Sequence, residues 1–222
     1  MCGRFTVVKK AEDIANRFKV AIEEDIYREM YNAAPSQNLP VITNKEPEQL
    51  NFYRWGLIPF WAKDASIGYK MINARAETIT QKSSFKNPFK TKRCLVVSDG
   101  FYEWKKTVNG KQPYRITLKD NSLYAYAGLW DTWKDKSGNL INSLTIITTT
   151  ANDLTKDIHD RMPVMLEKDK ERDWLNNEIE IPELQDMLKP YNSELMRVYP
   201  VSARVNSPGN DARELLEEIK LQ

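Results

Sequence analysis

Hydrophobic and polar positions along the chain alternate more often with the two-residue period of strands than with the 3.6-residue period of helices. Phe5 to Val8 is a short apolar run and predicts a strand, while Ile14 and Phe18 stand at helical spacing and predict a helix over 10–18. Tyr31-Asn-Ala-Ala-Pro-Ser-Gln-Asn-Leu-Pro40, with small residues and two prolines, predicts an irregular loop. Gln49 to Trp55 alternates like a strand, and Gly56 and Pro59 then break it within Trp55-Gly-Leu-Ile-Pro-Phe-Trp61. Cys94 to Ser98 reads as a buried strand with Cys94 as a small core residue, and Gly100 to Trp104 as another strand. Asn109-Gly110 is a hairpin signal leading into a strand over 113–118, and further strands are expected at Leu123 to Trp130 and Ile141 to Thr149. Helices are expected at 168–176, 182–188 and 210–220, the last carrying Leu215, Leu216 and Ile219 as an apolar stripe. Sheet content is therefore high and largely antiparallel.

Composition narrows the class without naming a function. A chain of 222 residues, 41% hydrophobic and 29% charged, without low-complexity tracts, fits a single globular domain over 1–222. The net charge of +2 gives no global field to draw nucleic acid, so any such binding must come from a local patch. The N-terminus lacks an apolar signal core, only two cysteines occur, and no apolar run reaches the length of a membrane span. A cytoplasmic protein with reduced thiols and no membrane contact is expected. No phosphate-binding glycine loop, internal repeat or metal-ligand spacing is present, so neither a metal nor another cofactor is expected.

Candidate chemistry begins at the N-terminus. If Met1 is removed, Cys2 carries a thiol and a free α-amine on adjacent carbons, a 1,2-aminothiol that condenses with an aldehyde to a Schiff base and closes to a thiazolidine. An α-amine of pKa about 7.7–8.0 is unprotonated in roughly one molecule in seven at pH 7. Arg4 lies close enough in sequence to favour the thiolate. An idle cysteine after the start Met is the alternative.

Other stretches carry weaker signals. If Met71 to Thr78 is extended, Asn73, Arg75 and Glu77 share one face, either lining a site or forming a half-exposed strand with an Arg–Glu pair. Trp55 to Trp61 is either a core corner or an exposed aromatic wedge for unpaired bases. The run 81–93 holds five basic residues with Phe85 and Phe89 and no acid, which suits a single-strand groove or a solvated face. Glu103, between Tyr102 and Trp104, is a candidate for a carboxyl raised by desolvation. His159 is the only histidine; it is the first suspect for a neutral-pH proton shuttle, unless it is structural and Asp160 simply pairs with Arg161.

Taken together, Met-Cys-Gly-Arg-Phe5, Tyr31-Asn-Ala-Ala-Pro35, Trp55-Gly-Leu-Ile-Pro59 with Trp61, Asn73-Ala-Arg-Ala-Glu77, Gly100-Phe-Tyr-Glu-Trp104, Ile158-His-Asp-Arg-Met-Pro163 and Pro200-Val-Ser-Ala-Arg-Val-Asn206 occur in that order. This set closely resembles the SOS-response-associated peptidase (SRAP) family, the abasic-site-processing proteins. Ser98 departs from the small or apolar residues of many relatives. The resemblance implies an α+β fold: a single domain with a curved, mostly antiparallel barrel-like sheet and peripheral helices. It implies Met1 removal, by autoproteolysis or an aminopeptidase, and covalent capture of abasic sites in single-stranded DNA by a monomer, nucleoid-associated when bound. Under it, Cys2 is the nucleophile, Asn73 orients the terminus and sugar, Glu103 relays protons, and His159 protonates the opened sugar oxygen. Arg4, Arg75 and Arg161 hold phosphates, while Trp61 and Asn32 to Pro35 splay the bases, with Phe85 as a further DNA contact. Two other classes stay open: an N-terminal-nucleophile cysteine peptidase or amidohydrolase, and a non-enzymatic single-strand-binding module.

Overall fold

The computed structural model describes residues 2–23, 25–108 and 110–221. Among them the chain forms β1 (Phe5–Val7), α1 (Ala11–Phe18), β2 (Met30–Ala33), β3 (Asn38–Thr43), β4 (Leu50–Trp55), β5 (Asn73–Arg75), α2 (Ser83–Thr91), β6 (Arg93–Ser98), β7 (Gly100–Thr107) and β8 (Gly110–Leu118). It continues with β9 (Tyr124–Lys134), β10 (Leu140–Thr150), β11 (Arg161–Pro163), α3 (Glu171–Leu175), α4 (Ile181–Asp186) and β12 (Met196–Pro200).

Strands β10, β4, β3, β6 and β9 are neighbours in that order, and β9 pairs back onto β10, closing a five-stranded barrel. The far half of β10 extends beyond the barrel and carries β5 and β11 on its two edges. A second sheet runs β12-β8-β7-β1-β2. Among the described residues, the pairings between these strands are antiparallel except those of β10 with β4 and β5. The expected α+β fold with a curved, mostly antiparallel, barrel-like sheet and peripheral helices is the one observed. Phe5 joins the two sheets: its ring packs 5.2 Å from that of Trp55 on β4 and 5.7 Å from Tyr126 on β9.

Strand β1 has only three residues, too few to hold its own register. The corner between β6 and β7 holds it. Asp99 Oδ1 accepts from Thr6 Oγ1 at 2.5 Å and Arg115 Nη2 at 3.2 Å, Oδ2 accepts from the Val8 amide at 2.6 Å, and the Asp99 amide donates to Thr6 O at 3.1 Å. Ser98 adds its hydroxyl to Thr6 O and to Tyr126. A Cβ at Gly100 would lie 2.8 Å from the Arg115 guanidinium, so a larger residue here would displace Arg115 from the corner.

Several expectations are corrected. Tyr31 to Pro40 is not one loop, since β2 and β3 occupy its ends and only 34–37 turns. Pro40 is tolerated in β3 because pairing with β6 begins only at Val41, so its missing N–H falls on an unpaired edge. The extended pattern of 71–78 stops after Arg75, where Ala76–Thr78 forms a 3-10 turn. Run 81–93 is mostly α2, whose helical period turns Phe89 into the core and half-buries Phe85, while Lys82, Lys86 and Lys90 face outward. Arg93 is fully buried and donates to carbonyls of Phe89, Lys90, Trp174 and Asn176. The helix expected over 210–220 reduces to a 3-10 turn at Arg213–Leu216. There the chain is captured by the β12 edge, with Ile219 N donating to Pro200 O and Val201 bridging Glu218. Of the Asn109-Gly110 turn, Asn109 lies outside the described residues; Thr107 pairs with Gly110 across the hairpin.

Because Asp99 is buried with the Arg115 charge, Asp99→Ala should lower stability by about 3–5 kcal/mol, the usual cost of leaving one partner of a buried pair alone. Urea unfolding checks this. A loss below 1 kcal/mol would mean that the corner does not hold β1.

Candidate functional site

The N-terminal segment runs from Cys2 into β1 along β7. Phe5 pairs with Phe101 and Thr6 with Gly100, and the Tyr102 amide donates to Arg4 O at 2.9 Å. Continued by one rung, this register sets Gly3 opposite Glu103. From the barrel side, Asn73 on β5 donates its Nδ2 to the Cys2 carbonyl at 2.8 Å. Cys2 is thus gripped between the two sheets, and its side chain is enclosed. Burial pushes its thiol well above the usual range, and the nearby Glu103 charge adds to that. Met1 lies outside the described residues.

Glu103 is 4% exposed, and burial raises its carboxyl to about 7, against the opposing hydrogen bond from its neighbour Trp104's backbone. A carboxyl at that value is half protonated near neutrality and serves as either acid or base. His159 is held below its ordinary value, first by partial burial. Its Nδ1 accepts from the Arg161 amide at 3.0 Å, which puts the proton of the neutral ring on Nε2. Asp160 Oδ1 also lies 3.0 Å from Nδ1, a pairing that needs a proton on Nδ1 and so competes with the Arg161 bond. Asp160 is largely exposed, so we assign the neutral form with the backbone bond. Glu103 and His159 line one cleft of about 820 Å³ with Arg4, Trp104, Lys106, Lys111, Lys156, Asp157, Ile158, Asp160 and Asn206.

The arginines expected at phosphates differ in their surroundings. Arg4 is half buried and gives Nη1 to Asn32 Oδ1 and Val205 O, both at 2.9 Å, with its guanidinium 5.9 Å from the Trp104 ring. Arg161 donates through both Nη atoms to Glu77 and through Nη2 to Thr148 O at 2.7 Å, so the Glu–Arg pair of this region joins Glu77 to Arg161 rather than to Arg75. That contact lowers the Glu77 carboxyl, and the Asp160–Arg161 pairing does not form. Arg75 is exposed.

Asn32 is buried, and its Nδ2 contacts the carbonyls of Val205, Ser207 and Asn210. It holds the C-terminal segment beneath Arg4. Pro35 is half-buried. Both alternatives for 55–61 apply: Trp55, Leu57 and Ile58 are core, while Phe60 and Trp61 are 63% and 47% exposed. Gly56, at φ +123°, turns the chain between them. Phe85 packs against the core, apart from the cleft.

Sequence reasoning missed Trp104, the lysine rim and Asn206, which donates no chemistry but accepts from Trp104 Nε1 at 2.7 Å. The two-residue period beyond Glu103 could have marked Trp104 and Lys106 as one face. Among the described residues, no cluster of three metal-ligating side chains occurs, and no helix is long and apolar enough to cross a membrane.

The family model for SOS response associated peptidase (SRAP) matches residues 1–208. The chain is 49% identical to the abasic site processing protein YoqW of Bacillus subtilis (strain 168), over 98% of this chain and 99% of that protein. It is 35% identical to the abasic site processing protein HMCES of Gallus gallus, over 90% of this chain and 69% of that one. A crystal structure of a protein from Bacteroides thetaiotaomicron, 31% identical, matches with a TM-score of 0.91 over 99% of this chain and 100% of that one.

Between the unfolded value of 4.5 and the native value of about 7, the native Glu103 carboxyl keeps a proton that the unfolded chain has lost. Stability should therefore fall as pH rises across that window and level off above it. Glu103→Gln should remove this component, giving a variant more stable than the parent by on the order of 1–3 kcal/mol at pH 8 and nearly equal at pH 4. Parallel pH dependences in denaturant titrations would show that Glu103 is ordinary.

Proposed function

The chain belongs to the SOS response associated peptidase (SRAP) family, and from that premise we propose that it processes abasic sites in single-stranded DNA by covalent capture on Cys2 once Met1 is gone. One observation carries this reading: Asn73 holds the Cys2 carbonyl at 2.8 Å, on the rung beside Glu103, at a cleft that also holds His159. The names of the relatives, abasic site processing proteins at up to 49% identity, support the substrate.

The Cys2 α-amine attacks C1′ of the ring-opened sugar, and the carbinolamine loses water to give a Schiff base. Left there, the imine acidifies the C2′ proton and permits elimination of the 3′ phosphate. The Cys2 sulfur then adds to C1′ while the nitrogen gains a proton, so the net reaction is aldehyde plus aminothiol to thiazolidine plus water. Because the thiol is held protonated, it needs a base at this step. Glu103, titrating near neutrality, takes that proton after having given one to the departing hydroxyl. His159, with its proton on Nε2, donates to the opened sugar oxygen. Arg75 contacts a phosphate directly, whereas Arg4 and Arg161 lend charge from the positions in which the protein holds them. Trp61, with Pro35 on the neighbouring turn, stacks against or separates unpaired bases.

The test is incubation with single-stranded DNA carrying one abasic site, followed by denaturing electrophoresis. A shifted band is expected, from protein whose intact mass lacks Met1. Cys2→Ser should give no stable band, only a reducible imine with more strand scission. Peptide turnover without a band would favour a peptidase, and a complex that dissolves on denaturation a plain binding module; either overturns the proposal.

Glu103→Gln should slow capture by about 10²- to 10⁴-fold, the usual general acid–base contribution, with noncovalent binding near that of the parent. Capture at the parental rate would remove Glu103 from the proton path.

A further inference from the structure

The capture reaction uses the floor of the cleft and leaves one wall without a role. Lys106 on β7 and Lys111 on β8 are directly opposed, and both are exposed. Opposed side chains of an antiparallel pair stand on one face with Cβ atoms about 5 Å apart, where two like charges destabilise the ladder. Among the described residues, neither lysine reaches a carboxylate. The preceding rung on the same face pairs Trp104 with Pro113, so a stripe runs outward from the cleft as an aromatic ring followed by two ammonium groups. Lys156 lines the same cleft, already paired with Asp153 at 2.7 Å.

We infer that the Lys106–Lys111 rung is a phosphodiester-binding site for the DNA strand on one side of the captured nucleotide. The inference rests on the DNA reading above. A bound phosphate between the two ammonium groups converts their repulsion into two favourable contacts. The rung is three residues from Glu103, about 10 Å along the strand, so only a ligand extending beyond the sugar bridges the two. Arg75 and Arg161 belong to the barrel sheet and the hairpin to the other sheet, so the two sets of charge serve different flanks.

The experiment uses the full chain and two oligonucleotides. Each carries an aldehyde-free reduced abasic residue at one end, with a thymidine tail extending only 5′ or only 3′. Noncovalent affinity is measured against salt for the parent and for Lys106→Gln/Lys111→Gln. For one tail polarity the log-log slope should fall by about 1.4, at about 0.7 per lost contact. Between 50 and 200 mM salt, the variant's affinity then drops roughly sevenfold less than the parent's. The other polarity should be unchanged, and the variant's melting temperature should be no lower than the parent's. Unchanged slopes with both tails, or equal losses with both, overturn the inference. Because these strands cannot react, the result stands apart from crosslinking; absence of a covalent band with a true abasic site would refute the capture chemistry alone.

Discussion

The grip of Asp99 on the first strand is the constraint from which the site follows. A three-residue strand gains little from its own ladder, and a slip of one residue would turn Phe5 away from Trp55 and Tyr126. By taking the Thr6 hydroxyl and the Val8 amide on separate oxygens, Asp99 leaves a single register. Buried ion pairs contribute little net stability over apolar packing, so the Asp99–Arg115 pair is better understood as fixing geometry. With the register fixed, Cys2 must arrive beside Glu103, and Asn73 needs only to reach across from the other sheet. The nucleophile of the proposed reaction is therefore placed by contacts several residues downstream of it.

Four arginines serve in this protein as internal scaffolding. Arg93 bonds four backbone carbonyls, Arg115 the Asp99 corner and Tyr199, Arg4 the segment around Val205, and Arg161 Glu77 and Thr148. The planar guanidinium with its several donors suits this role, while lysine, a flexible point charge, is left for the solvent edge. In a chain of net charge +2, positive potential has to come from local groups of basic side chains. The rim of the Glu103 cleft is such a group.

Much of the barrel was legible because its strands carry strong apolar runs. β4, β6, β9 and β10 were all foreseen within a few residues, as was β8 of the second sheet. The strands that escaped, β2, β3, β11 and β12, are short or proline-containing, and they exist because a longer neighbour offers them an edge. Residues 210–220 show the same rule reversed: an apolar stripe suited to a helix yields to the open edge of β12. At the site, Cys2, Asn73, Glu103 and His159 stood out through their chemical type and their motifs, and the fold brings them to one place. Asn32 and Arg4 were legible as positions but not as partners, since their contacts lie on a segment more than 170 residues away. Phe85 packs against the core because a helix separates aromatics from lysines that sequence order interleaves.

Glu103 and His159, the proposed proton-transfer groups, are tuned in opposite directions by the same cause. Burial disfavours charge, so it raises the Glu103 carboxyl and lowers the His159 imidazole, drawing both toward the neutral form near pH 7. The cleft floor then keeps a carboxylic acid able to donate and a ring able to donate from Nε2. The buried Cys2 thiol obeys the same rule and stays protonated, which imposes an order on the proposed chemistry. A sulfur that is not yet a thiolate cannot lead, so the amine has to attack first and generate the electrophilic imine that the sulfur closes upon. Glu103, having given up a proton in forming that imine, is at that moment the base the thiol requires.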